Sequence, residues 1–288
     1  MRKVAVLTDS ASDIPEELRE KYGIDIMSFT ITLDGQSYVE RQDFTNEEFY
    51  DMLRNAEGMP STAHITMLQF YDQYCAYLQA GYTDVVHITI NAGGSATFDA
   101  ATMAARQLAE EHPESKMKIH LVDSHTYSMP YGYFVCEAAR KLHNGAEIKH
   151  VISDLEADFA TVEIAVSVFS LKFIKKSGRV SAAAAFAGEL LGLRPIITIN
   201  DGVTAVVNKV RGDKNVLPAL LAHAKNHREG EREYLIGTTD MKTAEELGKL
   251  CKKEFGMPPA CIFMLGAAVA SNTGPDAIAI VYHGAKRR

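Results

Sequence analysis

Three times before residue 125 the chain runs a short, mostly apolar stretch into small polar residues and then into a helical segment. Val4-Ala5-Val6-Leu7 stops at Thr8-Asp9-Ser10, Asp84 to Ile90 stops at Asn91-Ala92-Gly93-Gly94, and Lys118 to Val122 stops at Asp123-Ser124. A continuous apolar run of this length suits a strand buried on both faces. Such strands, alternating with helices, build a mostly parallel sheet with helices on both faces. Ligands of open α/β sheets bind beyond the carboxyl ends of the strands. If the three strands are neighbours, their polar ends meet along one rim.

Local signals fill in the rest. Asp13 is expected to cap a helix, with Pro15 in its first turn and Glu16 and Glu17 at its positive end. Ile24 to Thr32 reads as a strand, Asp34-Gly35 as a turn, and Thr45 with Glu48 as a capping box opening a helix through Leu53. Helices are expected from Ser95 to about Glu111 and from Met129 to Leu142. Leu142-His143-Asn144-Gly145 stops the second of these and suggests a boundary between domains at 1–145 and 146–288. Beyond it, Thr161 to Val168 alternates like a half-buried strand, and Ser181 to Leu191 reads as a helix of small residues. Pro195 to Thr198 and Val203 to Val210 flank the hairpin signal Asn200-Asp201-Gly202. A helix at Val216 to Asn226, a strand at Tyr234 to Thr238, a helix at Thr243 to Phe255 and a strand at Cys261 to Leu265 restore α/β order. The expected fold is two α/β domains, the second with a mixed sheet and a β-hairpin.

Composition narrows the function. The 288 residues carry 37 acids against 30 bases, a net charge of −7, which argues against a broad nucleic-acid footprint. No apolar run reaches the ~18 residues of a membrane span. The first residues enter a strand with no secretion signal, so the expected address is the cytoplasm. Cys75, Cys136, Cys251 and Cys261 lack zinc or redox spacing, and there is no H-E-x-x-H; no metal or cofactor is expected.

The loop Asn91-Ala92-Gly93-Gly94-Ser95-Ala96-Thr97 holds the most chemistry. Its glycines permit close ligand approach, and the following helix aims N–H groups at the same place. Taken alone, it reads first as a glycine turn with an N-cap serine. Both nucleotide glycine signatures are absent. The G-x-S-x-G elbow is missed at Thr97, which leaves a serine hydrolase with Ser95 as nucleophile and His64 as base as an alternative. Met59-Pro60-Ser61-Thr62-Ala63-His64 reads as a polar turn with Thr62 or Thr66 capping a helix. Lys175-Lys176-Ser177-Gly178-Arg179 is a basic cluster that suits a solvated turn, a phosphate or an acidic partner, and Ser271-Asn272-Thr273-Gly274-Pro275 reads as a turn.

Together these segments resemble the DegV family over nearly the whole chain. Thr8-Asp9-Ser10-Ala11-Ser12-Asp13 resembles its T-D-S-x-x-D, Pro60-Ser61-Thr62 its P-S-T, Ser95-Ala96-Thr97-Phe98 its S-G-T-[YF], and Asp123-Ser124 its D-S. Leu171-Lys172 through Gly178-Arg179-Val180 and Arg194-Pro195-Ile196 are similar to its L-x-x-L-x-x-G-G-R-I and K-P-I segments. The resemblance implies a long-chain, palmitate-like fatty acid in a cleft between the domains, its carboxylate held by the hydroxyls of Thr62 and Ser95. It also implies, for some members, service as the binding subunit of a separate fatty acid kinase, with the arginine matching Arg179 and a T-H-T-G-P histidine at the partner or phosphate step. Here Asn272 stands in that histidine's place and cannot become cationic. Ala96 and Ser177 replace family glycines, and His64 departs from the usual turn.

The physics accommodates such a ligand. Burying ~14 methylenes at ~0.8 kcal/mol each offers about 11 kcal/mol gross, part of which association and ordering of the tail take back. The carboxylate needs donors, and two hydroxyls with helix N–H groups supply them without a buried lysine. The expected reading is a non-catalytic lipid-binding protein whose tunnel is lined by Phe and Met. The small-residue helix around Ala182 to Gly188 would either leave room for the tail or pack closely on another helix.

Overall fold

The computed structural model describes residues 2–178 and 192–286. Strand β1 (Val4–Asp9) leads through a short 3-10 turn to α1 (Glu16–Tyr22) and β2 (Ile24–Met27). A hairpin of β3 (Thr30–Leu33) and β4 (Gln36–Val39) follows, then α2 (Asn46–Asn55), β5 (Ser61–Ala63) and α3 (Met67–Gln79). Next come β6 (Asp84–Thr89), α4 (Thr97–Glu111), β7 (Lys118–Asp123) and α5 (Met129–His143). Strands β2-β1-β6-β7 form one wholly parallel sheet, so the polar ends of β1, β6 and β7 do share a rim. Its central strand β6 is buried throughout, as its apolar run requires.

The second half contains α6 (Ile148–Phe159), β8 (Val162–Val168), α7 (Leu171–Ser177), β9 (Leu193–Asn200), β10 (Val203–Arg211) and α8 (Val216–His227). It ends with β11 (Leu235–Thr238), α9 (Met241–Phe255), β12 (Cys261–Met264), α10 (Ala267–Thr273) and β13 (Ala277–His283). Its six-stranded sheet runs β10-β9-β8-β13-β11-β12 and is mixed, with only β11 and β12 parallel. One face, with Ile164, Val166 and Ala279, joins the core of the first domain. The other, with Ala165, Ile278 and Ile280, is covered by α8 and α9 through Leu220 and Leu247. The two α/β domains therefore meet over the first of these faces.

Several expectations change here. Asp13 does not cap α1. Pro15 holds that position, and Asp13 is turned inward with φ 54°, its carboxylate accepting a hydrogen bond from the Ser128 hydroxyl. Ile24 to Thr32 is two strands in different sheets, because the chain leaves the parallel sheet after Met27 and β3 pairs with β4 and β5 instead. Strand β8 is buried on both faces rather than half-buried, since α8 and α9 cover its outer side. Ser271 to Thr273 form the last turn of α10. The Thr45–Glu48 capping box forms, and Thr66, not Thr62, caps α3. Gly145, at φ 84°, follows α5. Arg179 and the small-residue stretch from Ser181 to Leu191 lie outside the described residues.

Candidate functional site

Between the two domains lies a cavity of about 120 Å³, lined by residues of both. Thr62 and Ser95 both line it, from different parts of the first domain. Thr62 reaches it from β5, where it pairs with Ile31 of β3. Ser95 reaches it from the loop after β6. The opposite wall comes from Val166 and Val168 of β8, Ile197 and Ile199 of β9, and the inner face of α10.

The Ser95 loop is held by the rim groups around it. Asp9 of β1 accepts from the Ile90 N–H at 2.9 Å and from the Tyr131 hydroxyl at 2.6 Å. Burial pushes the Asp9 carboxyl up to about 6. Asp123 of β7 accepts from the N–H groups of Ala92 at 3.0 Å and His125 at 2.9 Å. Asn91 closes the turn: its carbonyl takes the N–H groups of Gly94 and Ser95, and its side-chain amide donates to the Tyr127 hydroxyl at 2.7 Å. Tyr127 in turn lies over Gly94, where a β-carbon would collide with the ring hydroxyl. Asp9 and Asp123 thus shape the loop. The sequence reading placed these ends on the rim without separating braces from ligand groups.

No charged side chain is among the described residues that line the cavity. Its polar groups are the hydroxyls of Thr62, Ser95 and Tyr127 at the first domain, with Ser177, Thr204, Asn272 and Thr273 at the second. Asn272 is brought to the same space, and its side-chain amide donates to the Ala268 carbonyl at 2.8 Å within α10. The apolar walls are Val and Ile with Phe29, and no Met is among the described lining. Of the expected Phe and Met lining, Phe29 is present, and much of the rest of the described wall is strand face, where β-branched side chains pack best.

The structure does not bring Ser95 and His64 together as a nucleophile–base pair. The Ser95 hydroxyl lies 2.8 Å from that of Thr97. His64 is exposed, with Nδ1 2.8 Å from the Ile65 carbonyl, and does not line the cavity. Among the described residues no group of three or more His, Cys, Asp or Glu is placed to hold a metal ion, and no helix is long and apolar enough to cross a membrane.

Comparison with known proteins agrees with this architecture. The family model described as "Uncharacterised protein, DegV family" matches residues 3–284. The chain belongs to the DegV family. A DegV domain-containing protein of Caldanaerobacter subterraneus subsp. tengcongensis is 30% identical to it, covering 98% of this chain and 99% of the relative. Among solved structures, a fatty acid binding DegV family protein from Streptococcus agalactiae superposes with a TM-score of 0.85 at 27% identity, covering 99% of this chain and 100% of that one. A DegV family protein from Thermus thermophilus, described by its fatty acid binding, gives 0.83 at 27% identity with the same coverage. The two-domain α/β fold of this chain is that of the DegV structures.

Proposed function

We propose that this DegV protein binds a long-chain fatty acid in the interdomain cavity, with the carboxylate taken by the hydroxyls of Ser95 and Thr62. The observation that carries the reading is the joint presence of both hydroxyls in a cavity whose described lining is mostly apolar and carries no charged side chain. An acyl tail gains from apolar walls, and its carboxylate is satisfied by hydroxyl and N–H donors. Neutral donors grip less tightly than a buried cation, which suits a protein that must also release its cargo. The fatty-acid binding of the two relatives at 27% identity supports the assignment. The proposed action is binding and delivery without a catalytic step, and it asks for no metal or cofactor.

Native mass spectrometry before and after solvent extraction tests this. The protein as purified is expected to carry C16–C18 fatty acids and, once stripped, to rebind palmitate. An empty protein that ignores added palmitate overturns the proposal.

A further inference from the structure

We infer that Glu40 is a positioning residue for the fatty-acid cavity, tying one wall from each domain into a fixed spacing. The inference rests on the fatty-acid reading of that cavity. Glu40 follows β4 and is 1% exposed, a buried carboxylate at the joint between the domains. Such a group persists only where donors surround it. Its donors come from both sides. From the second domain, the Ala268 N–H in the first turn of α10 donates to Oε1 at 2.7 Å. From the first domain, the Ser10 hydroxyl donates to Oε2.

Each donor leads to a cavity wall. Helix α10 begins at Gly266 with no side-chain cap of its own, so Glu40 caps it from the other domain. The same helix presents Ala268, Val269, Asn272 and Thr273 to the cavity. On the other side, Ser10 Oγ accepts the Phe29 N–H at 2.9 Å, and the Glu40 N–H donates to the Phe29 carbonyl at 3.0 Å. Phe29 also lines the cavity. One carboxylate thus holds the Phe29 wall and the α10 wall together.

The surroundings are built for this approach. A β-carbon on Gly266 would collide with Asp13 and lie 3.0 Å from Glu40 Oε1, so the start of α10 reaches Glu40 only because residue 266 is glycine. The Tyr50 hydroxyl donates to the Leu265 carbonyl just before it. No ligand need be present for the tie to exist; its consequence for a ligand is a cavity whose two walls cannot drift apart.

Hydrogen exchange on ligand-free protein and palmitate titration on the stripped full chain test this with Glu40→Ala, Glu40→Gln and Val151→Ala. Val151 is buried in α6, away from the cavity lining, and controls for lost stability. Glu40→Ala is expected to speed exchange of the α10 amides and weaken palmitate about tenfold, because walls no longer held in place must be ordered on binding. Glu40→Gln, which keeps the acceptor, restores much of both, and Val151→Ala changes neither. Unchanged α10 exchange in Glu40→Ala, or an equal affinity loss in Val151→Ala, overturns the inference. If wild type binds no palmitate, the fatty-acid reading fails instead, while the exchange data still judge the tie.

Discussion

Gly202, at the tip of the β9–β10 hairpin, sits directly on Asn91 of the Ser95 loop, where a β-carbon would collide with the Asn91 side-chain amide. Its φ is 73°, a conformation that L side chains rarely adopt. Beside it, His125 Nδ1 lies 3.5 Å from Asp201 Oδ1. The strands of this hairpin carry Ile197, Ile199 and Thr204 to the cavity, so the contact joins the second domain's wall to the loop that presents Ser95.

Gly202→Ala should therefore cost more than a positive φ alone. Gly230, at φ 67°, has open space where a β-carbon would sit and serves as the reference. Replacing a glycine in this conformation costs roughly 1–2 kcal/mol. Urea unfolding should show Gly202→Ala below Gly230→Ala by at least a further ~1 kcal/mol. Equal losses would mean that the Asn91 contact is slack.

Ser95→Ala and Thr62→Val should each weaken palmitate by about tenfold or more, the effect of one hydrogen bond to a charged group. Both side chains are only partly buried, so circular dichroism and melting temperature should stay near wild type. An unaltered dissociation constant for either variant removes that hydroxyl from the carboxylate site.

Filling the cavity should compete with the tail. Val166 is 7% exposed on β8 and lines the cavity. Val166→Phe adds bulk into existing space, so the melting temperature should hold or rise while palmitate affinity drops. A large loss of stability with unchanged affinity would place the ligand elsewhere.

Stability should carry an acid-side signature of His87. This fully buried imidazole has Nδ1 2.8 Å from the Tyr74 hydroxyl, and burial lowers its pKa from 6.5 to about 3. Below pH 6.5 the unfolded chain takes up a proton that the folded protein refuses, so stability falls as pH falls toward 3. Asp9, raised to about 6, works the other way: the folded protein is protonated first, and stability rises as pH drops from 6 to 3.8. Comparing wild type with His87→Gln isolates the first effect. The wild type should lose roughly 3 kcal/mol relative to the variant between pH 6.5 and pH 4; parallel stability curves would refute the buried neutral histidine.

Asn272 offers a test of the proposal that this chain serves a fatty acid kinase. Its amide cannot carry a proton into a phosphate step. Incubated with a fatty acid kinase subunit, ATP and palmitate, the wild-type chain should yield less acyl phosphate than Asn272→His. Equal yields would show that residue 272 does not govern that step.

Local signals carried far in this chain. The strand ends at Asp9, Asn91 and Asp123, the Thr45 capping box and the Asp201-Gly202 hairpin act over a few residues and needed nothing distant to be read. Asp13 misled because its Asp-Ile-Pro context imitates a helix start, while its actual partner, Ser128, is remote in sequence. Ser271 to Thr273 read as a turn because they are small or polar and precede Gly274-Pro275, while the cap of the helix they end comes from Glu40. The brace Tyr127 carried no motif, since its partner Asn91 lies 36 residues away in sequence.

What the amino-acid order determined by itself was the parallel sheet, its polar rim and the place of Ser95 on it, because apolar period, caps and turn residues act on the nearest backbone. What only the tertiary structure decided was the cavity. Its walls depend on contacts such as Glu40 to Ala268, 228 residues apart, and on Gly202 meeting Asn91. Such contacts arise from the packing of two sheets against each other, and no local pattern records the distance between them.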